Sequence, residues 1–511
     1  MSFARRYDES QPLPGAPGAR SQSVSIEHWG AVLADVAAGG ARLIALWAQT
    51  PPLSTAVLHA AVIGDAGILL LSAELAESEQ RFPSACEVYP AALRMERAIY
   101  DMHGLRSNAW DTRPWLRHTA WPEQLHPLRD ADMPIASAEP VADAYPFVTV
   151  DGDGVHEIAV GPVHAGIIEP GHFRFSVVGE KVLRLEQHLG YVHKGIERRF
   201  QDLPALAGHR LAARVSGDSA VAFSWAYCQA LEGCAALMTP PRAQWLRALA
   251  LELERIANHL GDLGALGNDA GFAFALSQFS RLKEGLLRHT ADALGRRYLL
   301  DFVVPGGTAN DVSTSALGVL AAAMPPLIAE VQRLHDILEE HAGVRDRFNA
   351  TGIVTPALAV QLGLTGLAGR ASAQSHDLRC DFPCPPYEQL QPVKMTRDEG
   401  DVAARVAVRF AELLESCRLV MAIAEQLPDG AHRVELSIPS PGLGIGCIEG
   451  WRGPVLIALR VGTDGKIARC HAHDPSWHNW PVLEHAVIGN IVPDFPLINK
   501  SFNLSYSGHD L

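Results

Sequence analysis

Three segments of the sequence carry residue types that can bind a metal or a phosphate, and the first is a cysteine pair. Cys380 and Cys384 flank the turn residue Pro383. A structural zinc or iron-sulfur site uses four such ligands at motif spacing, and no second pair follows nearby in the sequence. In a reducing compartment scattered cysteines are mostly small buried apolar residues, and we expect that role here.

The second segment holds three histidines around an aspartate, namely His471, His473 and His478 near Asp474. Imidazole and carboxylate groups bind zinc, iron or magnesium. The spacing matches no recognised zinc motif, although a strand over residues 467–473 would place the first two imidazoles on one side. We predict no resident metal on this chain, and the role of the histidines stays open.

The third segment, Gly442-Leu-Gly-Ile-Gly446, has the look of a dinucleotide-binding turn. Such a turn needs a preceding strand, a third glycine three residues on, and a helix whose N-terminus faces the pyrophosphate. The residues that follow, Cys447-Ile-Glu-Gly-Trp-Arg-Gly-Pro454, do not form a helical pattern. We therefore expect any NAD to be bound by another subunit.

Length and charge set the broad class of the protein. The chain has 511 residues and a formal charge of −14, which indicates two or more domains and argues against a nucleic-acid partner. The N-terminus has no apolar core after its two arginines, so we predict a cytoplasmic chain. Prolines interrupt the long uncharged stretches, so membrane contact is expected through partner subunits.

The first part of the chain has the pattern of an α+β domain. Residues 1–20 are rich in Pro, Gly, Ser and Arg and predict a flexible tail. Within residues 21–130, the segments 41–47, 56–62 and 67–71 are predicted strands, and residues 83–102 a helix. Residues 131–153 contain several prolines and acids and predict a linker.

Residues 154–511 predict a large, mainly helical domain with small peripheral sheets. Apolar residues recur three or four positions apart from Leu246 to Leu263 and from Val402 to Val420, which marks one face of each of two long helices. Residues 219–234 and 315–340 also fit helices, although Pro325-Pro326 should break or kink the second. Short strands are expected near residues 156–185 and 432–470.

Motifs in both parts resemble subunits of one family of respiratory complexes. Met95-Glu-Arg-Ala-Ile-Tyr-Asp-Met-His-Gly-Leu105 and His126-Pro-Leu-Arg-Asp130 resemble the 30-kDa subunit of NADH-quinone oxidoreductase. The larger domain resembles the 49-kDa subunit of that complex and the large subunits of group 4 nickel-iron hydrogenases, such as formate hydrogenlyase. The motifs that carry this second resemblance are Gly161-Pro-Val-His164, Tyr191-Val-His-Lys-Gly-Ile-Glu197, Arg255-Ile-Ala-Asn-His-Leu260, Pro305-Gly-Gly307, Leu362-Gly-Leu-Thr-Gly366, Asp377-Leu-Arg379 and Arg452-Gly453.

The resemblance implies a departure at the nickel-iron site. Such hydrogenases carry one Cys-x-x-Cys after Arg-Val or Arg-Ile and a second after Asp-Pro, because thiolates are soft ligands suited to that centre. On this comparison Ser216, Ser219, Ser476 and Asn479 occupy the ligand positions. The resemblance therefore implies a protein without a nickel-iron centre, and an active hydrogenase is the least favoured alternative.

In complex I the emptied metal cavity receives a quinone headgroup, so the resemblance implies a quinone as substrate here. The family's quinone-binding tyrosine would fall at Gly217, which is a glycine as in hydrogenases. The cofactor-binding residues are therefore predicted to be Ser216, Gly217, Ser219, Ser476, Asn479 and His478.

The acids that the resemblance assigns to proton transfer are Glu169 and Asp269. Glu169 resembles a proton-transfer glutamate of hydrogenases, and Asp269 resembles an aspartate that supports the quinone-site histidine of complex I. His164 is the third predicted catalytic residue. A carboxylate that can be reprotonated suits a two-electron, two-proton acceptor.

The expected function is that of an electron-acceptor-site subunit, with quinone as acceptor, in a complex that couples electron transfer to ion translocation. Expected partners are a small iron-sulfur subunit, a ferredoxin-like iron-sulfur subunit, and antiporter-like and other membrane-arm subunits. The iron-sulfur clusters and any NAD would lie in those partners. The predicted location is peripheral, on the cytoplasmic face of the inner membrane. The alternative is a scaffold subunit without redox chemistry.

Overall fold

The computed structural model describes residues 2–50, 55–76, 79–118, 121–130, 145–164, 168–437 and 439–511. Of the linker predicted over residues 131–153, residues 131–144 lie outside this part. The structure does describe residues 145–153 of this linker. There the Tyr145 hydroxyl accepts a hydrogen bond from Arg97 at 2.5 Å, which attaches this part of the linker to the helix Ala92–His103 of the N-terminal region. The domain boundaries themselves stay predictions.

The N-terminal region is built on one five-stranded sheet. Its elements are α1 (Phe3–Glu9), β1 (Gln11–Pro12), β2 (Arg20–Ser23), α2 (Trp29–Ala38), β3 (Arg42–Gln49), β4 (Ala56–Gly64), β5 (Gly67–Leu75), β6 (Arg81–Phe82), α3 (Ala92–His103) and β7 (Arg106–Ser107). The strand order is β1-β2-β5-β4-β3, and β3, β4 and β5 form an antiparallel meander. The three strands predicted from the sequence are confirmed.

Both faces of β3, β4 and β5 are buried, which explains why these three strands are nearly continuous apolar runs. Leu43, Leu46 and Ala48 belong to the main core that includes α2 and α3, whereas Ile44 and Trp47 pack in a second core against the larger domain. The register of the pairing between β3 and β4 shifts between Leu43 and Ala45, in the part of β3 whose side chains are divided between the two cores.

The expected flexible tail is instead ordered over residues 2–20. Phe3 is buried under the loop at Gly39, and Ala16 and Ala19 are buried as well. The Ala16 amide donates to the Ile445 carbonyl at 2.7 Å, and the Ile445 amide donates to the Pro14 carbonyl at 2.9 Å. The composition of residues 1–20 did not predict this order, because small residues and prolines also occur where two backbone segments pack closely together.

The larger region is mainly helical. Its elements are β8 (Val155–Val160), β9 (His172–Val178), β10 (Lys181–His188), α4 (Ile196–Phe200), α5 (His209–Ala212), α6 (Ala220–Cys234), α7 (Pro241–Asp269), α8 (Ala273–Leu294), β11 (Val303–Val304), β12 (Gly307–Thr308), α9 (Thr314–Ala322), α10 (Met324–Glu340), α11 (Ala342–Phe348), α12 (Pro356–Leu362), α13 (Gly366–Arg370), α14 (Leu378–Asp381), α15 (Tyr387–Leu390), α16 (Val402–Gln426), β13 (Gly442–Glu449), β14 (Pro454–Val461), β15 (Ile467–His473), α17 (Ser476–Ala486), α18 (Phe495–Phe502) and α19 (Tyr506–Asp510).

Three long helices, α7, α8 and α16, form the centre of the larger region, and α6 packs on the sheet β13-β14-β15. The predicted apolar faces of α7 and α16 are buried throughout. The mainly helical class with small sheets is confirmed. Residues near the start of this region form another antiparallel sheet, with the strand order β10-β9-β8.

The segment 315–340 is broken into two helices, as its proline pair predicted, since α9 ends at Ala322 and α10 begins at Met324. By length and composition alone, the run from Thr314 to Glu340 is apolar enough to cross a membrane, and 22% of its most apolar window is buried. The second half carries charged residues such as Glu330 and Arg333, which pair with each other at the surface.

Candidate functional site

A group of buried hydroxyls lies where the turn before α6, the start of α17 and the start of α19 meet. The Ser216 Oγ lies 2.8 Å from the Ser505 Oγ, and the Ser505 amide donates to the Ser476 Oγ at 2.9 Å. Ser219 joins them through Arg452, whose guanidinium donates to the Ser219 Oγ at 3.2 Å. We call Ser216, Ser219, Ser476 and Ser505 the serine cluster.

Local backbone structure fixes the serine cluster. Ser505 precedes α19 and caps it, because its Oγ accepts from the Gly508 amide at 2.8 Å. Gly508 lies close against Asp474, since a Cβ on this glycine would be 2.6 Å from the Asp474 Oδ2. A side chain at position 508 would therefore displace the carboxylate.

Two carboxylates and one guanidinium set the electrostatics of the cluster. Arg452 pairs with Asp218, which also accepts from the Ser216 Oγ at 2.7 Å. Burial acts to raise the pKa of Asp218, but Arg452 outweighs it and the pKa falls to about 2. Burial raises the pKa of Asp474, whose Oδ2 has no hydrogen-bond partner among the described residues.

Glu169 lies at the edge of the cluster, half-buried in the connection between β8 and β9. Its Oε2 accepts from the Ser507 amide at 3.1 Å, two residues from Ser505. Lys194 lies in the electrostatic range of Glu169 and donates to the Val215 carbonyl at 2.9 Å. Burial lowers the pKa of Lys194, and Glu169 opposes that effect. A partly accessible carboxylate thus adjoins the buried hydroxyls.

His164 also contacts the connection between β8 and β9. Its Nε2 lies 2.8 Å from the Gly171 carbonyl oxygen, and Gly171 packs against the ring of Tyr506. In the described residues no hydrogen bond joins His164 to the serine cluster. Its position therefore suits shaping of the β8–β9 connection.

Asp269 lies at the C-terminal end of α7, near Lys500. Burial raises the pKa of Asp269, and the charge of Lys500 opposes this. Lys500 itself pairs at 3.2 Å with Asp262, whose Oδ1 accepts from Asn503 at 2.8 Å. From Lys500 a series of contacts leads through Asp262 to Asn503, whose carbonyl accepts a hydrogen bond from Arg452 at the cluster.

The remaining predicted residues divide into two groups. Gly217 is exposed next to Ser216, and nothing lies within 4 Å of the Cβ it lacks. Asn479 is turned away, since its amide exchanges hydrogen bonds with the Thr365 backbone at 3.1 and 3.2 Å. His478 faces the N-terminal sheet, where its Nε2 lies 2.8 Å from the Ile44 carbonyl oxygen.

Sequence reasoning missed Ser505 and Asp218, and it considered Asp474 only as a candidate metal ligand beside the histidines. A signal was present, because the frame Ser505-Tyr-Ser-Gly508 repeats the four-residue spacing of Ser216-Gly-Asp-Ser219 near the end of the sequence. The pairing of Ser216 with Ser505 becomes visible only in three dimensions.

The cysteine and histidine segments form no obvious metal site. In the part of the chain that the structure describes, no group of three or more His, Cys, Asp and Glu side chains is arranged to hold a metal. Burial raises the pKa of both Cys380 and Cys384 to about 12. His471 is engaged with Glu197, whose carboxylate oxygen lies 2.6 Å from the imidazole Nδ1.

Comparison with known proteins agrees with the architecture. Residues 28–139 match the family model of the 30 Kd subunit of respiratory-chain NADH dehydrogenase, and residues 269–441 match that of the 49 Kd subunit. Formate hydrogenlyase subunit 5 of Escherichia coli is 31% identical over 448 residues, which are 86% of this chain and 78% of that protein. The chain belongs to this family of fused 30-kDa and 49-kDa subunits.

Two further similar proteins share less sequence with this chain. The C/D-type NADH-quinone oxidoreductase subunit of Bacteroides fragilis is 25% identical over 418 residues, covering 76% of this chain and 77% of that protein. A chain from the structure of the membrane-bound sulfane sulfur reductase, an archaeal respiratory membrane complex, superposes with a TM-score of 0.66 at 23% identity. That match covers 70% of this chain and 99% of the other, and it shows the shared fold.

Proposed function

We propose that this fused subunit forms the electron-acceptor site of a membrane-associated, complex I-like or hydrogenase-related oxidoreductase, with a quinone as acceptor. The observation that carries the proposal is the serine cluster beside Glu169. Reduction of a quinone to a quinol takes two electrons and two protons, and hydroxyls and a protonated carboxyl group can donate hydrogen bonds and deliver protons to its oxygens. The electrons would come from an iron-sulfur cluster of a partner subunit.

A nickel-iron centre does not fit the serine cluster. Its side chains supply hydroxyl oxygens in place of the thiolates such a centre prefers. The Ser216 and Ser505 oxygens are 2.8 Å apart and hydrogen-bonded to each other, so each hydroxyl already has a partner within the chain. We also propose that the second pair of ancestral ligand positions is Ser505 and Gly508, in place of Ser476 and Asn479.

Glu169 is the proposed proton donor. It is half-buried, so protons can reach it from solvent or from a partner subunit, while its Oε2 is held by the Ser507 amide. Gly217 leaves open space beside Ser216, where the quinone ring would enter. Asp269 is proposed to act at longer range, through Lys500 and Asp262.

The proposed assembly follows from the relatives. The names of those proteins include a formate hydrogenlyase subunit and an NADH-quinone oxidoreductase subunit. Small and ferredoxin-like iron-sulfur subunits would supply electrons, and antiporter-like and other membrane-arm subunits would couple the reaction to ion translocation. The chain would then be peripheral, on the cytoplasmic face of the inner membrane.

The second candidate is a scaffold subunit without redox chemistry. The observation that favours it is the mutual satisfaction of the serine hydroxyls, because Ser216, Ser476 and Ser505 all take part in hydrogen bonds within the chain. A quinone would have to compete with these bonds.

Titration of the purified, assembled complex with a quinone analogue separates the two functions. Saturable binding is expected, and Glu169→Gln should lower quinone reductase activity at least about tenfold, because a positioned proton donor contributes about 10²–10⁴-fold. The matched control is Glu180→Gln at an exposed hairpin turn, which should retain activity. Absence of analogue binding by the intact complex would support the scaffold, and stoichiometric nickel would overturn both.

A further inference from the structure

A cavity of about 610 Å³ lies between the N-terminal sheet and the larger region. Residues from β3 and β4 form one wall, and residues from α12, α14 and the start of α17 form the other. Cavities of about 300–1,000 Å³ are typical of small-molecule sites. Most of the lining is apolar, with Ile44, Ile63, Leu364 and Phe382 among its side chains.

Two buried imidazoles with unpaired nitrogens line this cavity. His473 is 1% exposed and His478 is 3% exposed. The His473 Nε2 and the His478 Nδ1 have no hydrogen-bond partner in the described part of the chain. A buried polar group without a partner lowers the stability of the folded protein, whereas a phenylalanine in its place would not. The two rings contact each other edge to face, with centroids 5.3 Å apart.

Arg42 supplies a cation to the same cavity. It makes no hydrogen bond or ion pair to any residue in the ranges that the structure describes, although its side chain is largely buried. The acids that also line the cavity are mostly engaged elsewhere. Asp377 pairs with Arg379, Glu449 with Arg370, and Asp381 with Lys394, while Asp65 is exposed at the rim.

We propose that this cavity is a second binding site, for a small aromatic carboxylate. The carboxylate would accept hydrogen bonds from Arg42, as carboxylates do from guanidinium groups, and the ring would lie against the apolar walls. The unpaired nitrogens of His473 and His478 have almost no accessible surface, so a polar substituent on the ring would bond to them after a small rotation of the imidazoles. The ligand would thus give partners to three cavity-lining groups, Arg42, His473 and His478, that have no hydrogen-bond partner among the described residues.

This site is separate from the serine cluster. His473 and Pro475 line the cavity, whereas the alternating residues Asp474 and Ser476 face Ser505 and Gly508. The two sites therefore lie on opposite sides of one turn. The inference stands whether or not the serine cluster binds a quinone.

The test is calorimetric titration of the intact chain, in its assembled complex, with a hydroxynaphthoate whose carboxylate and hydroxyl are at opposite ends of the ring system. Saturable one-to-one binding is expected. Arg42→Met should weaken it about tenfold or more, because hydrogen bonds to charged groups are among the strongest. The methyl ester of the probe should bind the wild type as weakly as the acid binds the variant.

A second variant separates binding from folding. His473→Phe keeps the ring that packs beside Trp477 and removes the unpaired nitrogen, so it should weaken probe binding several-fold while leaving the melting temperature unchanged or higher. Arg333→Met, at the exposed surface of α10, is the matched control and should bind normally. No saturable binding, or binding lost in Glu169→Gln but kept in Arg42→Met, would overturn the proposal.

Discussion

At the scale of single residues, the serine cluster depends on hydroxyls that bridge separate segments of the chain. Ser505 illustrates this, because it contacts Ser216 with its side chain and Ser476 with its amide. Sequence reasoning identified Ser216, Ser219, Ser476 and Glu169 from motif frames but chose Asn479 over Ser505. The Asp474-Pro475 dipeptide led to that choice, and we propose Ser505 instead because Ser505 contacts Ser216, whereas the Asn479 amide bonds to the Thr365 backbone.

The first prediction concerns the bond between Ser216 and Ser505. Ser505→Ala removes this bond and the cap of α19, so it should lower the free energy of unfolding by about 1–2 kcal/mol. Ser216→Ala should cost less, because Asp218 retains its pairing with Arg452. Urea titrations of both single variants and the double variant measure the coupling between them. Fully additive losses would contradict a direct bond.

The second prediction is a pH dependence that arises from Glu254. This buried carboxyl of α7 accepts from the Val221 amide at 2.8 Å, and burial raises its pKa from 4.5 to about 8. The folded protein therefore holds a proton that the unfolded chain releases. The associated stability is full below about pH 4.5 and falls as the pH rises towards about 8.

Glu254→Gln keeps an amide oxygen for the Val221 amide and cannot ionise. The variant should therefore lose less stability than the wild type between about pH 5 and 8, a difference on the order of a few kcal/mol at the upper end. Denaturant titrations across that range measure the two slopes. Glu180→Gln, at an exposed turn, should reproduce the wild-type slope, and parallel slopes for Glu254→Gln would refute the assignment.

At the scale of elements, periodicity located the strands β3 to β5 and the long helices α7 and α16, because each buries a continuous apolar face. It failed at the helix predicted over residues 83–102, since α3 begins only at Ala92. Pro90 precedes that start, and a proline lacks the amide that an interior helix position needs. The sequence also could not reveal which glycines permit close packing.

The third prediction tests the glycines of β13, which suggested a nucleotide site in the sequence. A Cβ on Gly446 would lie 1.8 Å from the Ala226 carbonyl oxygen of α6, whereas nothing lies within 4 Å of a Cβ on Gly442. Gly446→Ala should therefore destabilise the protein by about 3 kcal/mol or fail to yield soluble protein. Gly442→Ala should fold normally. Melting temperatures of the pair decide whether these glycines serve helix packing.

At the scale of the whole molecule, the N-terminal sheet and the larger region share a continuous core. Trp47 belongs to this core and stacks on His471 with ring centroids 4.7 Å apart. Arg469, two residues before His471 in β15, donates to Glu197 and to the Ala48 carbonyl. The resemblance predicted two joined modules but gave no account of how they pack.

The fourth prediction is that Trp47 stabilises the joined structure. Trp47→Ala should lower the free energy of unfolding by about 3–5 kcal/mol, because it leaves a large cavity in the shared core. Trp110→Ala is the matched control, since Trp110 is 79% exposed, and should change stability by less than about 0.5 kcal/mol. Equal effects of the two substitutions in a urea titration would contradict the shared core.

The bridge between the residues around Gly15 and Ile445 has a consequence for biosynthesis. The ribosome makes the Pro14–Ala16 segment more than 400 residues before its hydrogen-bonding partner in β13. Until then the outer face of the N-terminal sheet has no cover, and uncovered apolar strands are prone to aggregate. Nascent chains stalled before β13 should therefore recruit chaperones, and chains stalled after it should release them.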